Sequence, residues 1–259
     1  MRSVLSGITA SDIRPDPFPH VLVPDALDGD LYAALADSFP SLETLTWAGG
    51  RHGSNRRYEM NAKAILEHDG IAPAWKRFLA HHASPAFYGE VVSLFRDHWP
   101  EALLRALDGS LLGHATGLVW PGAFDAARIA LDARFEVNTP VTGPASVSRG
   151  PHLDRPERLY TGLLYFRHPD DDSEGGELVL YRWQPDSPRN TSHFQLPDTA
   201  VEEVARIPYR ANQLVMFPNG IDALHGVGLR QPTPHLRRYV FMTAELATPW
   251  LFPPGEVPS

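Results

Sequence analysis

Cysteine is absent from the 259 residues. That excludes disulfides and thiolate metal centres, so a tight transition-metal site has to be built from histidine and carboxylate. Lysine is nearly absent too: Lys63 and Lys76 are the only two, and the net charge is −8. Such a balance argues against a general electrostatic hold on phosphates and predicts no nucleic-acid partner. No run is long and apolar enough to span a bilayer, and residues 1–12 lack the continuous apolar core of a signal peptide. The expectation is a cytoplasmic protein with no membrane partner. What is present, 43% hydrophobic and 21% charged residues, is enough for a sizeable core, and 1–259 is expected to form one domain.

Two layers are expected along the chain. Pro17–Val23 reads as an opening strand, after which Asp25 or Asp28 caps a helix through Leu31–Ala36. A loop with Gly49, Gly50 and Gly53 follows. Between Ala72 and Leu107 the apolar residues recur at three-to-four spacing, among them Trp75, Phe78, Leu79, Phe87 and Val91. This predicts amphipathic helices covering one side of a sheet. From about Ala133, short strand-like runs alternate with Gly, Pro and Asp turns, the pattern of a β-sandwich or barrel. Pro249, Pro253, Pro254 and Pro258 leave 247–259 as a Pro-rich tail with no regular element expected. Residues 1–132 are then mostly helical support and substrate-side elements, and 133–246 the core.

The candidate chemistry sits in that core. In an extended strand, residues two apart share a face, so His152 and Asp154 converge while Leu153 points away. His225 follows the strand-like run Asn212–Phe217 and its stop at Pro218, Asn219 and Gly220, which puts it at a rim. Two imidazoles and one carboxylate can occupy one face of an octahedral metal and leave the other open, the ligand set of non-haem Fe(II) oxygenases.

The surroundings carry a family resemblance. Pro151-His152-Leu153-Asp154 leads into the strand candidate Arg158–Phe166; a turn over Asp170–Gly176 and a returning strand Glu177–Trp183 follow, and His225 precedes a strand candidate over Arg237–Thr243. This order resembles the Fe(II)/2-oxoglutarate-dependent dioxygenase superfamily, particularly its prolyl-hydroxylase-like branch, over about residues 134–246. The resemblance implies a double-stranded β-helix (jelly roll, cupin-like) with an N-terminal helical layer, mainly β with flanking helices. It also implies Fe(II) on His152, Asp154 and His225 as the catalytic triad, with 2-oxoglutarate and O2 as co-substrates. The expected reaction hydroxylates an unactivated carbon and releases succinate and CO2; desaturation or cyclisation share its chemistry, whereas halogenation is disfavoured because the carboxylate ligand is present.

In that family a basic residue on a late strand holds the distal carboxylate of 2-oxoglutarate, and a guanidinium does so through two parallel bonds. Arg238-Tyr239-Val240 matches the family pattern best and makes Arg238 the expected anchor, with Arg237 turned the other way. Thr161 and Tyr165 match further cofactor-contacting positions, and Asn138 is within reach from the preceding strand. For substrate, Arg149, Arg155 and Arg158 flank the ligand pair, and Arg57 and Tyr58 lie in a polar, Gly-flanked stretch. The expected substrate is a free amino acid or small biosynthetic intermediate, with a peptide or protein residue as second choice. A non-redox cupin-like metal or small-molecule binding protein is the reading from another class.

Overall fold

The computed structural model describes residues 2–46, 52–190 and 195–252. Gly49 and Gly50 of the expected loop, and the tail from Pro253, lie outside the described residues.

The N-terminal part holds β1 (Val21–Val23), α1 (Gly29–Asp37), α2 (Leu42–Thr46), β2 (Arg57–Met60), α3 (Ala62–Glu67), α4 (Pro73–His82), α5 (Pro85–Leu94), α6 (Glu101–Ala106) and β3 (Thr116–Leu118). The core follows as β4 (Ile129–Asn138), β5 (Arg158–Tyr165), β6 (Leu178–Trp183), β7 (Val201–Ile207), β8 (Leu214–Pro218), β9 (His225–Val227) and β10 (Arg237–Glu245). Asp28 caps α1 by accepting from the Asp30 N–H, as one of the two expected caps. Proline occupies the first turn of α4 and of α5, where its missing N–H costs nothing. Trp75, Phe78, Leu79 and His82 form the buried stripe of α4, at the spacing that one helix face requires.

The larger sheet runs β1-β8-β5-β10-β4-β2, with β3 added parallel to β4; the smaller runs β7-β6-β9. Bridges Ser146↔Arg230 and His152↔His225 lay residues 146–152 along the small sheet. Leu163 and Tyr165 of β5, Leu178 and Leu180 of β6, Val215 and Phe217 of β8 and Tyr239 and Phe241 of β10 share one cluster between the sheets. Two sheets, antiparallel apart from β3, facing each other in this order form a jelly roll, the double-stranded β-helix.

Alternation sorts the large sheet into two faces. Phe135 and Val137 of β4, Leu164 of β5 and Val240 and Met242 of β10 pack under the helices. There the Trp75 ring lies 4.7 Å from Phe135 and 4.9 Å from Phe166, an aromatic knot of the kind whose truncation to alanine costs about 3–5 kcal/mol. The opposite face of β4 carries Asp132, Arg134, Glu136 and Asn138, all buried. The turn before β6 needs both its glycines: Gly175 and Gly176 have φ of +84° and +75°, and a Cβ on Gly175 would stand 1.8 Å from the Leu229 carbonyl oxygen.

His82 ties the helical layer to the N-terminus. Its Nδ1–H donates to the Phe78 carbonyl at 2.8 Å and its Nε2 accepts the Val4 N–H at 3.2 Å, so both nitrogens are used by the neutral ring. Burial pushes the imidazole down to about 3, against an unfolded value of about 6.5. Above pH 6.5 neither state is protonated and the group is silent. As pH falls from there toward 3, the unfolded chain binds a proton that the folded chain refuses, and stability drops by about 1.4 kcal/mol per pH unit from this residue. In urea unfolding between pH 6 and 4, His82→Leu is expected to show a stability slope shallower than the parent by about one proton. Equal slopes would mean that His82 is protonated in the fold.

Candidate active site

The residues of the expected metal site meet at one point. His152 and His225 exchange backbone hydrogen bonds of 2.9 and 3.1 Å, which places their side chains together with ring centroids 4.3 Å apart. Asp154, two residues on, presents its carboxylate to both: Oδ1 lies 3.9 Å from His152 Nε2 and Oδ2 3.7 Å from His225 Nε2. The three ligand atoms are all within 4.8 Å of one another, and all three residues are buried. His225 opens a short strand of its own, β9.

Their protonation suits a cation. His152 Nδ1 faces the Gly150 carbonyl at 2.8 Å and His225 Nδ1 the Ala223 carbonyl at 3.0 Å, so each Nδ1 carries the proton and each Nε2 keeps its lone pair for the ion. Burial holds both imidazoles below their ordinary value. For Asp154 burial acts the other way, but the Arg158 charge, with the Thr161 hydroxyl bond, more than reverses it and holds the carboxyl far below its usual range. Two neutral imidazoles and one ionised carboxylate fit a divalent metal with open coordination positions.

Asp154 is aimed by two residues of β5. Thr161 donates its hydroxyl to Oδ2 at 2.5 Å, and Arg158 Nη1 donates to Oδ1 at 3.1 Å while its Nε binds Glu245 at 3.0 Å. Arg158 is buried, and its guanidinium and that of Arg134 lie over the Phe241 ring, 4.8 and 4.5 Å from the centroid. Thr161 and Arg158 therefore brace a ligand; Thr161 was expected to contact cofactor and Arg158 substrate.

The triad lines a cavity of about 370 Å³ that also contains Arg237. Arg237 is buried, with Nε donating to the Gly176 carbonyl at 2.9 Å and Nη2 to the Tyr165 hydroxyl at 3.3 Å. Rings of Tyr165, Tyr209 and Tyr239 stand 5.0, 5.1 and 4.9 Å from its guanidinium carbon. Among the described residues no carboxylate lies within ion-pairing distance of it. A buried cation with only neutral partners can take up an anion, and a carboxylate has the matching shape and charge.

Arg238 departs from its expected place. It points to the other face of the sheet, where its Nε donates to the Phe166 carbonyl at 2.9 Å and its guanidinium lies 5.0 Å from the Phe39 ring, in a different cavity. The pairing of Tyr239 with both Tyr165 and Glu136 fixes this register. Arg237, Tyr239 and Phe241 consequently face the triad, and Arg238, Val240 and Met242 face the helices. The same alternation sends Arg57 into the cavity and turns Tyr58 toward the helical core. Arg155 is more than half exposed and pairs with Glu245, away from the cavity. Asn138 is buried in register with Arg237, but it does not line the cavity.

Arg57 and Arg149 do line it, together with residues not singled out from sequence, notably Asn55, Ser148 and Glu136. Arg149 approaches Asp154 Oδ1 at 3.7 Å, and Arg57 approaches Glu136 at 3.8 Å. Glu136 accepts from Arg134 at 2.9 Å and from the Tyr239 hydroxyl at 2.6 Å. Burial opposes its charge, yet Arg134 and Arg57 outweigh burial and keep its carboxyl below the ordinary range. The signal for it was the period-two spacing of Asp132, Arg134, Glu136 and Asn138 within an otherwise apolar strand.

Residues 143–243 match the family model described as the 2OG-Fe(II) oxygenase superfamily. No curated protein matches the sequence. Among solved structures, the chain is similar to a prolyl-4-hydroxylase from Pseudomonas putida (17% identity, 88% of this chain and 93% of that one, TM-score 0.47). It is also similar to the non-haem α-ketoglutarate-dependent epimerase SnoN from nogalamycin biosynthesis (16%, 88% and 78%, TM-score 0.45) and to HygX from Streptomyces hygroscopicus with nickel and 2-oxoglutarate bound (12%, 88% and 83%, TM-score 0.42). At these identities and scores the structural likeness identifies no substrate. The matched segment carries all three candidate metal ligands and the buried arginine beside them, and over that segment the chain is an enzyme of the 2OG-Fe(II) oxygenase type.

Proposed function

We propose that this dioxygenase hydroxylates a free amino acid or small biosynthetic intermediate that carries an anionic group. The observation that carries the reading is the coexistence, in one cavity of about 370 Å³, of the triad, the carboxylate-free Arg237 and a second pair of arginines, Arg57 and Arg149. The volume lies at the small end of ligand pockets and suits a compact substrate beside the co-substrate.

In this scheme His152, Asp154 and His225 hold Fe(II), and Arg237 takes the distal carboxylate of 2-oxoglutarate, with the Tyr165 hydroxyl fixing its guanidinium. Fe(II) with 2-oxoglutarate and O2 supplies the oxidation, one oxygen atom entering the substrate C–H bond and the other the succinate formed as CO2 leaves. Arg57 and Arg149 orient the substrate anion at the cavity wall. Glu136, kept ionised by Arg134, adds a carboxylate that can accept from a substrate amine or hydroxyl. Leu163, Leu178 and Phe241 supply the apolar lining that keeps water from the reacting carbon. The wider chain, from the helical layer to β10, is proposed to act as one catalytic unit.

Arg237→Ala is expected to raise the Kd for 2-oxoglutarate about ten- to a hundred-fold, the worth of a charge-assisted pair of about 1.5–3 kcal/mol. Arg238→Ala should leave it within a few-fold. The check is cofactor titration with iron saturating, read by the weak visible charge-transfer band of the anaerobic Fe(II)–2-oxoglutarate chelate. A larger defect in Arg238→Ala, or no effect from either variant, overturns the anchor assignment. Substrate class is tested by succinate formation over a panel of free amino acids and other small carboxylic acids against short peptides. Turnover confined to the peptides rejects the small-molecule reading.

Thr161→Val removes the hydroxyl that aims Asp154 while nearly preserving volume. It is expected to weaken metal binding about ten- to a hundred-fold, measured by Co(II) titration under inert atmosphere. Unchanged affinity would show that Arg158 alone suffices to orient the carboxylate.

A further inference from the structure

The catalytic cavity carries more positive charge than iron and 2-oxoglutarate account for. Arg56, Arg57, Arg149 and Arg237 line it against two carboxylates, Glu136 and Asp154. With both imidazoles neutral, four arginines and two carboxylates leave an excess of two positive charges, inside a chain whose net charge is −8. Fe(II) adds two charges and 2-oxoglutarate removes two, so the loaded site keeps the same excess. Walls that exclude water strengthen the pull of that excess on an anion.

The excess sits apart from the 2-oxoglutarate anchor. Arg57 and Arg237 both lie opposite Asn138, two strands from each other and so about 10 Å apart along the sheet. Arg57 enters the cavity from the large sheet and Arg149 from the stretch 146–152 along the small one. Burial works against the Arg149 cation, Asp154 supports it, and the nearby charge of Arg57 opposes it again. An anion between the two guanidiniums relieves that repulsion. Their carboxylates are already engaged: Arg57 stands 3.8 Å from a Glu136 that accepts from Arg134 and Tyr239, and Arg149 stands 3.7 Å from an Asp154 committed to the metal. The Arg57 side chain is 40% exposed, and among the described residues neither its guanidinium nor that of the exposed Arg56 makes a hydrogen bond. The Arg56 stem folds over Gly53, where a Cβ would stand 2.8 Å from its Cγ. Together these forks offer more donors than one carboxylate accepts.

We propose that the substrate is a small organic dianion, its two charges close together at one end, held between Arg57 and Arg149 with Arg56 and the half-buried Ser148 at the rim. A phosphate monoester and a substituted malonate both have such an end. The inference names the class of the small substrate proposed above and rests on that reading.

The test is isothermal titration of the full chain, loaded with Fe(II) and saturating 2-oxoglutarate under anaerobic conditions, against n-butyl phosphate and n-butylmalonate, with hexanoate and n-butanol as singly charged and neutral controls. The visible charge-transfer band of the chelate reports whether 2-oxoglutarate stays bound. The expected result is saturable binding of at least one dianion, about ten-fold or more tighter than hexanoate, with the band retained. That binding should weaken about ten-fold or more in Arg57→Gln and in Arg149→Gln, and stay unchanged in Arg182→Gln, an exposed arginine paired with Asp16. Arg57 is on an edge strand and exposed, so its variant keeps the test sound if Arg149→Gln disturbs Asp154. Whichever dianion binds more tightly identifies the end as a phosphate monoester or a dicarboxylate, and either supports the proposal. Dianions held no tighter than hexanoate overturn it, as does unchanged affinity in Arg57→Gln. Loss of the band on dianion binding also overturns it, since the ligand has then displaced 2-oxoglutarate. The small-molecule reading itself stands or falls separately, on succinate formation.

Discussion

The catalytic site depends on one piece of backbone pairing. His225 is held from both sides, by His152 across one edge and by Leu180 of β6 across the other. With the main chains at 152 and 225 locked in an antiparallel bridge, both imidazoles emerge on the same side, and the two-residue step to Asp154 brings the carboxylate back to them. Ligands 71 residues apart (225 − 154) are thereby placed by hydrogen bonds that no side chain has to supply. The side chains then settle the finer matters of tautomer and carboxylate orientation, through the Gly150 and Ala223 carbonyls and through Thr161 and Arg158.

Around this point the sheet's inner face is charged to a degree unusual for a buried surface, and the charges are used in pairs and ladders. Arg158 spans Asp154 and Glu245; Arg134 spans Asp132 and Glu136. Unlike these two, Arg237 is surrounded by tyrosines and a carbonyl. Desolvation makes every unpaired charge costly, so the contrast separates two cations neutralised within the fold from one that is not.

The triad was legible in the sequence because its grammar is local: His-x-Asp requires only that a strand alternate, and the later histidine follows a strand ended by Pro218 and Gly220. The helical layer was legible for the same reason, through the spacing of Trp75, Phe78 and Leu79. The choice between Arg237 and Arg238 was not, since two adjacent arginines satisfy alternation equally well. What decides between them is which residues of β4 and β5 lie opposite, and that pairing is a property of the whole sheet. Thr161, Arg158 and Glu136 were obscured differently. The residue types were visible, but whether a buried polar group touches a ligand or steadies one depends on partners far away in the chain, such as Glu245 for Arg158 and Tyr239 for Glu136.

The tandem arginine has a consequence for how β10 finds its alignment as the chain folds. A slip of one residue would still deliver a guanidinium to the cavity, Arg238 in place of Arg237, so the arginine pair exerts little discrimination between the two alignments. The same slip would drive Tyr239 and Phe241 among the helices and bring Val240 and Met242 into the polar interior, exchanging the occupants of both faces at once. Selection of the native alignment therefore falls to the apolar residues of the strand, and the errors it guards against are those that would keep a guanidinium in the cavity while dismantling both cores.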